Sequence, residues 1–279
     1  MTTKPGFEAA EVLITVKTYP SPSAKYEETV CVAGVRLDQG NPQWIRLYPV
    51  RFRNMGEEYQ FGKYERVLLD VRKHGSADPR VESFRPNQES IQSLGRIAAK
   101  GVWPHRRNLL QNLVGETTTC ELIAANKAVK MSEPSPSLGL IQPEILEVIV
   151  EPGKPWTREQ MAKIDQASQP KLFGETLRPL EPMPYTVRYH YRCATKGCPT
   201  HSQKVIDWEL GQAGRKWRRE SGDLAALEQI REKWESMMCD PSVDLHFYIG
   251  NQHQRRHTFS ILGTWYPKAE KRSENLVLF

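Results

Sequence analysis

The apolar pattern at the start of the chain runs with a period of two. Val12, Ile14 and Val16 alternate with Leu13, Thr15 and Lys17. Glu28 to Leu37 is rich in β-formers, Asp38-Gln-Gly-Asn-Pro42 reads as a turn, and Trp44-Ile-Arg-Leu-Tyr48 and Arg66 to Val71 follow as strands. Short strands joined by Gly, Pro and Asn turns, with no helix between the first three, predict a small antiparallel barrel or curled sheet.

The pattern then changes. Ile91, Leu94 and Ile97 sit at helical spacing within Gln88 to Ala99, and Asn108 to Leu113 and Cys120 to Ala125 read as further short helices. Met131 to Gly139 is a Pro/Ser connector, and Ile145 to Val150 reads as a strand returning to the first sheet. Glu151 to Pro184 is proline-rich, with one helix near Thr157 to Ala167, and reads as a surface crossover.

Beyond it the alternation is strict. Tyr185, Val187, Tyr189 and Tyr191 take one face of a strand ending at Cys193, and Thr186, Arg188, His190 and Arg192 take the other. Lys204 to Leu210 reads as the next strand. Asp223 reads as the cap of a helix carrying Leu224, Leu227, Ile230 and Trp234 on one stripe. Leu245 to Ile249 and Thr258 to Trp265 close the region as two strands. The expected fold is α+β: a β-rich barrel-like lobe with inserted helices over residues 1–150, a crossover over 151–184, and an α/β lobe over 185–279.

That last lobe holds the densest chemistry. His190-Tyr-Arg-Cys193-Ala-Thr-Lys-Gly-Cys198-Pro-Thr-His201 places four metal ligands within one strand end and one turn. Thiolate sulfur and imidazole nitrogen are what Zn²⁺ takes in tetrahedral structural sites. Cys193, Cys198 and His201 are therefore expected to bind a structural zinc that pins the loop. His190 is the nearest fourth ligand, although strand alternation points it away from Cys193, and Cys239 is its rival. Cys31 and Cys120 lie in apolar surroundings and read as plain core residues.

Charge gives a direction. The 279 residues carry a net charge of +6 with a pI near 9.0, a balance that fits a polyanionic partner. The excess divides equally about Glu181, so there is no basic tail. No apolar run approaches the roughly 20 residues of a membrane span, and the N-terminus lacks the form of a secretory signal. The expectation is a cytoplasmic protein with reduced cysteines.

Cations interleave with rings in three places. Trp44, Arg46 and Tyr48 share one strand face opposite Ile45 and Leu47, with Arg51 and Arg53 just beyond. If the apolar pair faces inward, the other three form an outward nucleic-acid face, arginine on phosphate and rings on bases. Trp103-Pro-His-Arg106-Arg107 and Arg215-Lys-Trp-Arg218-Arg219 repeat the mixture, and His253-Gln-Arg255-Arg256-His257 forms a loop rich in donors for phosphate.

Two catalytic alternatives stand beside simple binding. Asp207 and Glu209, read on one strand face, could hold Mg²⁺ for phosphodiester cleavage. His253 and His257 could act as base and acid on RNA without metal. A protein-interaction subunit is the third reading.

Thr18-Tyr-Pro-Ser-Pro-Ser, Trp44-Ile-Arg-Leu-Tyr-Pro, the Cys/His loop with Asp207-Trp-Glu, and Phe247-Tyr-Ile-Gly-Asn251 with Phe259-Ser-Ile-Leu-Gly263 together resemble a family of uncharacterised bacterial proteins. That family is associated with mobile-element and phage-defence gene neighbourhoods. The resemblance spans most of the chain and implies dealings with DNA or RNA, and a neighbouring partner protein, but no activity or site residues. The expected function is therefore nucleic-acid binding in a bacterial defence or DNA-processing pathway, non-catalytic, with structural zinc.

Overall fold

A computed structural model describes residues 4–23, 27–167 and 179–270. Residues 168–178 of the proline-rich stretch lie outside them. The N-terminal part contains β1 (Glu8–Lys17), β2 (Ser21–Ser23), β3 (Glu27–Arg36), β4 (Gln43–Val50), β5 (Glu65–Lys73), β6 (Ser83–Pro86) and β7 (Gln92–Arg96). Because β1 pairs with both β3 and β5, the order β1-β3-β4-β6-β5 returns on itself and closes a barrel. Closure removes the unpaired edges that an open sheet would leave. β4 and β6 are parallel, and the other barrel neighbours are antiparallel. Counted along the chain, the strands run 1-2-3-5-4-1, the Greek-key order of the OB fold.

The alternation read from β1, β4 and β5 fills this barrel. Val12, Ile14, Val32, Ile45, Leu47, Val67 and Val71 are buried within it. A bulge between Ile14 and Val16 then turns Val16 to the outer side. The helix expected over Gln88 to Ala99 is instead a 3-10 turn, Gln88–Ser90, followed by β7. Gly95 has φ 97°, a conformation that a right-handed helix excludes, and Leu94 is 47% exposed. The apolar residues of that segment do not share one buried stripe.

The chain then forms α1 (Pro104–Leu110), earlier than Asn108–Leu113, and α2 (Thr119–Lys127), which contains the segment expected to be helical. A second set of strands follows: β8 (Leu138–Ile141), β9 (Pro143–Pro152), β10 (Tyr185–Cys193), β11 (His201–Lys204), β12 (His246–Gln252) and β13 (Arg255–Trp265). Between them lie α3 (Arg158–Ala167) and α4 (Trp208–Arg231). β9 pairs with β10, so Ile145 to Val150 belongs to the second sheet and does not return to the first. β8 pairs with β12, and β12 with β13. Val205 bridges Ile261 in parallel, and the Ile206 amide donates to the Ile261 carbonyl at 2.8 Å. With β8 and β9 taken as one interrupted strand, the second half repeats the order 1-2-3-5-4-1.

The strand expected over Lys204 to Leu210 stops at Ile206 because Asp207 caps a helix. Its carboxylate accepts the Glu209 amide at 2.9 Å, which satisfies a donor that the helix cannot pair internally. α4 then runs through the stretch in which Asp223 was expected to begin a helix. Asp223 follows a break at Gly222 (φ 81°). Ile230 and Trp234 face the core, whereas Leu224 is 83% exposed.

The barrels are joined by a third apolar layer. Leu13, Ala33 and Val35 on the outside of the first meet Leu138, Leu140, Tyr248, Leu262 and Trp265 of the second, with Trp103 and Leu110 of α1 alongside. β1 is thus buried on both faces, which explains the unbroken apolar run Val12-Leu-Ile14.

Candidate metal centre and basic sheet face

Four side chains converge where α2 meets the β10–β11 loop. Cys193 ends β10, Cys198 follows a turn through Gly197 (φ 72°), and His201 opens β11. The fourth is Cys120, in the first turn of α2. A capping box sets that turn: the Thr118 hydroxyl accepts the Glu121 amide at 3.1 Å, and the Glu121 carboxylate accepts the Thr118 amide at 2.8 Å. The Thr118 and Thr195 hydroxyls, 2.7 Å apart, tie the helix start to the loop.

The ligand atoms of Cys120, Cys193, Cys198 and His201 all lie within 4.8 Å of one another. Cys198 Sγ is 3.7 Å from Cys120 Sγ, 3.6 Å from Cys193 Sγ and 3.2 Å from His201 Nε2. A tetrahedron with Zn–S bonds of about 2.3 Å has edges of about 3.75 Å, so the cluster has the dimensions of a Cys₃His site. The Cys193 amide also points at Cys198 Sγ, at 3.4 Å.

The thiols are electrostatically unequal. Burial and the adjacent Cys193 and Cys198 push the Cys120 thiol up to about 12. Burial also opposes ionisation of Cys193, but hydrogen bonds from Thr195, the Cys120 backbone and His201 outweigh it and bring that thiol down to about 5. Three sulfurs this close cannot all ionise unless a cation joins them, and a divalent cation would deprotonate its thiols outright.

His190 and Cys239, each expected as the fourth ligand, lie outside this cluster. His190 Nε2 is 3.2 Å from the Ser202 hydroxyl, and Cys239 Sγ is 3.7 Å from the Trp234 carbonyl. Cys120 is accordingly no plain core residue. Three clustered ligands signalled that a fourth was needed, and the capping box put Cys120 at a helix start. Their meeting is a tertiary event.

The outer face of β10 and β11 is the open one. Arg188 and Arg192 are exposed and His190 is half-buried, while Tyr185, Tyr189 and Tyr191 point into the barrel. The register sets Arg188 directly opposite Lys204. Burial, then the Arg188 charge, lowers the Lys204 pKa against the opposing pull of Glu151. Like charges facing each other across a ladder destabilise a sheet. Arg192 reaches Glu144 at 3.6 Å, at the edge of the face.

The residues expected to contact nucleic acid divide differently. Arg46 is 2% exposed and donates to the Ser137 carbonyl at 3.0 Å and to Cys31 Sγ at 2.9 Å. The second barrel covers the outward side of β4 at Trp44 and Arg46, so the expected face is not an open one. Trp44 packs edge-on to Tyr248 at 6.2 Å, and Tyr48 is half-buried. Arg106 is buried, donates to the Ile97 carbonyl and stacks 3.8 Å over Tyr64. Arg256 is 1% exposed and donates to the Met131 and Glu133 carbonyls at 2.7 and 2.8 Å. These three arginines organise the interior instead of presenting a binding surface.

Others are more accessible. Arg51, Arg219 and Arg255 are exposed, and Arg53 is half-buried beside Trp208 and Arg215. Arg107 pairs with Asp244 at 2.8 Å and Arg218 with Asp223 at 2.6 Å. His253 Nδ1 is 3.3 Å from Asp78, and His257 Nε2 donates to the Asn126 carbonyl at 3.1 Å. Among the described residues no Phe, Tyr or Trp is fully exposed, and Trp44, Tyr48 and Trp217 of the expected clusters are half-buried rings.

Asp207 and Glu209 do not share a strand face either. Asp207 is 3% exposed as the cap of α4, and Lys63 Nζ lies 3.5 Å from it and 3.8 Å from Glu209. Their charges are matched within the fold. No described helix is long and apolar enough to cross a membrane.

No curated protein matches the chain. Among solved structures, one described as "Structure of murine DNA binding protein bound with ds DNA" is similar at 6% identity and TM-score 0.32, covering 95% of this chain and 97% of the other. A second, "Crystal structure of p204 HINb domain", is similar at 6% identity and TM-score 0.29, with 95% and 98% covered. A model for a domain of unknown function, DUF8758, matches residues 8–112. A second, over residues 115–279, spans more than half of the sequence, and the chain therefore belongs to the family described as Domain of unknown function (DUF8757).

Proposed function

We propose that this protein binds nucleic acid through the outer face of β10 and β11, without catalysis of its own. Zn²⁺ held by Cys120, Cys193, Cys198 and His201 is a structural part of the same proposal. The observation that carries the binding reading is Arg188 facing Lys204 in register on an open sheet. Such a pair costs stability in the free protein and is relieved by a phosphate bridging both cations. The net charge of +6 acts in the same direction. A four-ligand set leaves zinc no open position, which supports a structural over a catalytic metal. Placement in a bacterial defence or DNA-processing pathway rests on the motif resemblance alone.

Titration of labelled nucleic acid by fluorescence anisotropy at several salt concentrations tests the binding. Affinity should fall steeply with salt, and the double variant Arg188→Ala/Lys204→Ala should lose most of it while melting at or slightly above the wild type. Binding unchanged in that variant would move the interface elsewhere.

A further inference from the structure

The same face indicates which form of nucleic acid it takes, an inference that rests on the binding reading above. Alternate side chains of β10 leave on the outer side, so Arg188, His190 and Arg192 stand about 6.7 Å apart along the strand. Arg188 has Lys204 across from it on one side and Ile149 on the other, with no carboxylate directly opposite, whereas His190 faces Glu147 and Arg192 faces Glu144 on β9.

The rings of this strand have gone the other way. Tyr185, Tyr189 and Tyr191 are at most 3% exposed. Their hydroxyls donate to the Asp223 carbonyl, the Trp234 carbonyl and Gln203 Oε1, which holds them inside the barrel. A groove that grips single strands stacks successive bases on exposed aromatic rings. A face with no exposed ring offers unpaired bases nothing to stack on, while Arg188 and Lys204 offer phosphates charge-assisted hydrogen bonds. A duplex keeps its bases stacked on one another and presents its phosphates in a fixed array. It gives up no stacking on docking here.

We infer that the β10–β11 face takes double-stranded nucleic acid by its phosphates, without reading sequence. The probes are a DNA duplex of roughly 20 base pairs, the RNA duplex of the same sequence, a DNA duplex of scrambled sequence, and the separated strands, with a salt slope for each. At least one duplex type should bind about tenfold or more tighter than its strands, with a slope near −2 for two phosphates neutralised by Arg188 and Lys204. The scrambled DNA duplex should match its parent within about threefold, and Arg188→Ala should weaken duplex binding about tenfold and flatten the slope by about one. Indole fluorescence should not respond to single strands.

Single strands binding as tightly as duplexes, with quenching of tryptophan, would overturn the inference and leave nucleic-acid binding standing. A strong preference between the two DNA sequences would overturn it as well. If no probe binds, the underlying reading falls with it.

Discussion

The two barrels share a strand order but differ in what lies over their strands. In the first, the outer side of β1 and β3 is apolar and that of β4 carries Arg46, and the second barrel covers both. In the second, β10 carries Arg188 and Arg192 outward into water, beside the half-buried Lys204 of β11. Their ends differ too. The second barrel has its own helix, α4, between its third and fourth strands, whereas the first has only the 3-10 turns Phe52–Asn54 and Glu57–Tyr59. The first barrel borrows Trp208 from the start of α4, 5.8 Å from the Phe52 ring. The same topology thus supports a docking platform in one half and an open face in the other. Strand order alone does not assign function.

Removing the metal should break the second barrel first. Cys120→Ser or Cys198→Ser should cost about one equivalent of zinc and several kcal/mol of stability, because structural metal binding is folding free energy. His190→Ala and Cys239→Ser should keep the full equivalent. Metal analysis of protein never exposed to chelator, alongside thermal melts, distinguishes these sets, and zinc-free wild type would refute the site.

The joint between the barrels should respond next. Lys63→Met leaves the buried Asp207 carboxylate without its nearest cation, while Glu209 is partly exposed, and a loss of roughly 3 kcal/mol is expected in urea unfolding. A loss below about 1 kcal/mol would mean that water already reaches Asp207.

Lys17 gives the comparison a pH dependence. Its Nζ sits 3.8 Å over the Phe52 ring near Trp208, and burial lowers its pKa from 10.5 to about 8 despite Glu209 and Asp207 nearby. Between those values the unfolded chain binds more protons than the folded one, so stability from this group rises with pH and is flat below the window. The gain has an upper limit of about 3 kcal/mol. Subtracting the Lys17→Met profile from the wild-type profile isolates it, and a difference that does not change across the window would contradict it.

The smallest expected effects make the sharpest contrast. Arg46→Met should destabilise by about 2 kcal/mol, since it strips the Ser137 carbonyl of a buried donor. Arg188→Met should stay within about 0.5 kcal/mol, as exposed positions do. Equal losses at both sites would erase the distinction between a covered face and an open one.

Much of the strand content was legible. β1, β4, β5, β10, β12 and β13 all follow segments where polar and apolar residues alternate or β-formers cluster. β7 was not, because Ile91, Leu94 and Ile97 mimic a helical period that Gly95 forbids. β11 and α4 were divided wrongly because Asp207 reads equally well as a strand residue or a cap. At the metal cluster, Cys193, Cys198 and His201 were legible from spacing, and Cys120 was not.

The sequence by itself determined which residues alternate, which turns carry Gly or Pro, and that three clustered ligands lacked a fourth. These are local properties, set by backbone periodicity and residue chemistry. Tertiary structure alone decided that Arg46, Arg106 and Arg256 are buried while Arg188 and Arg192 are open, and that Cys120 completes the cluster. The physical reason is that alternation specifies two faces of a strand but not what covers the second one. In β4 that cover is another barrel, and in β10 it is solvent.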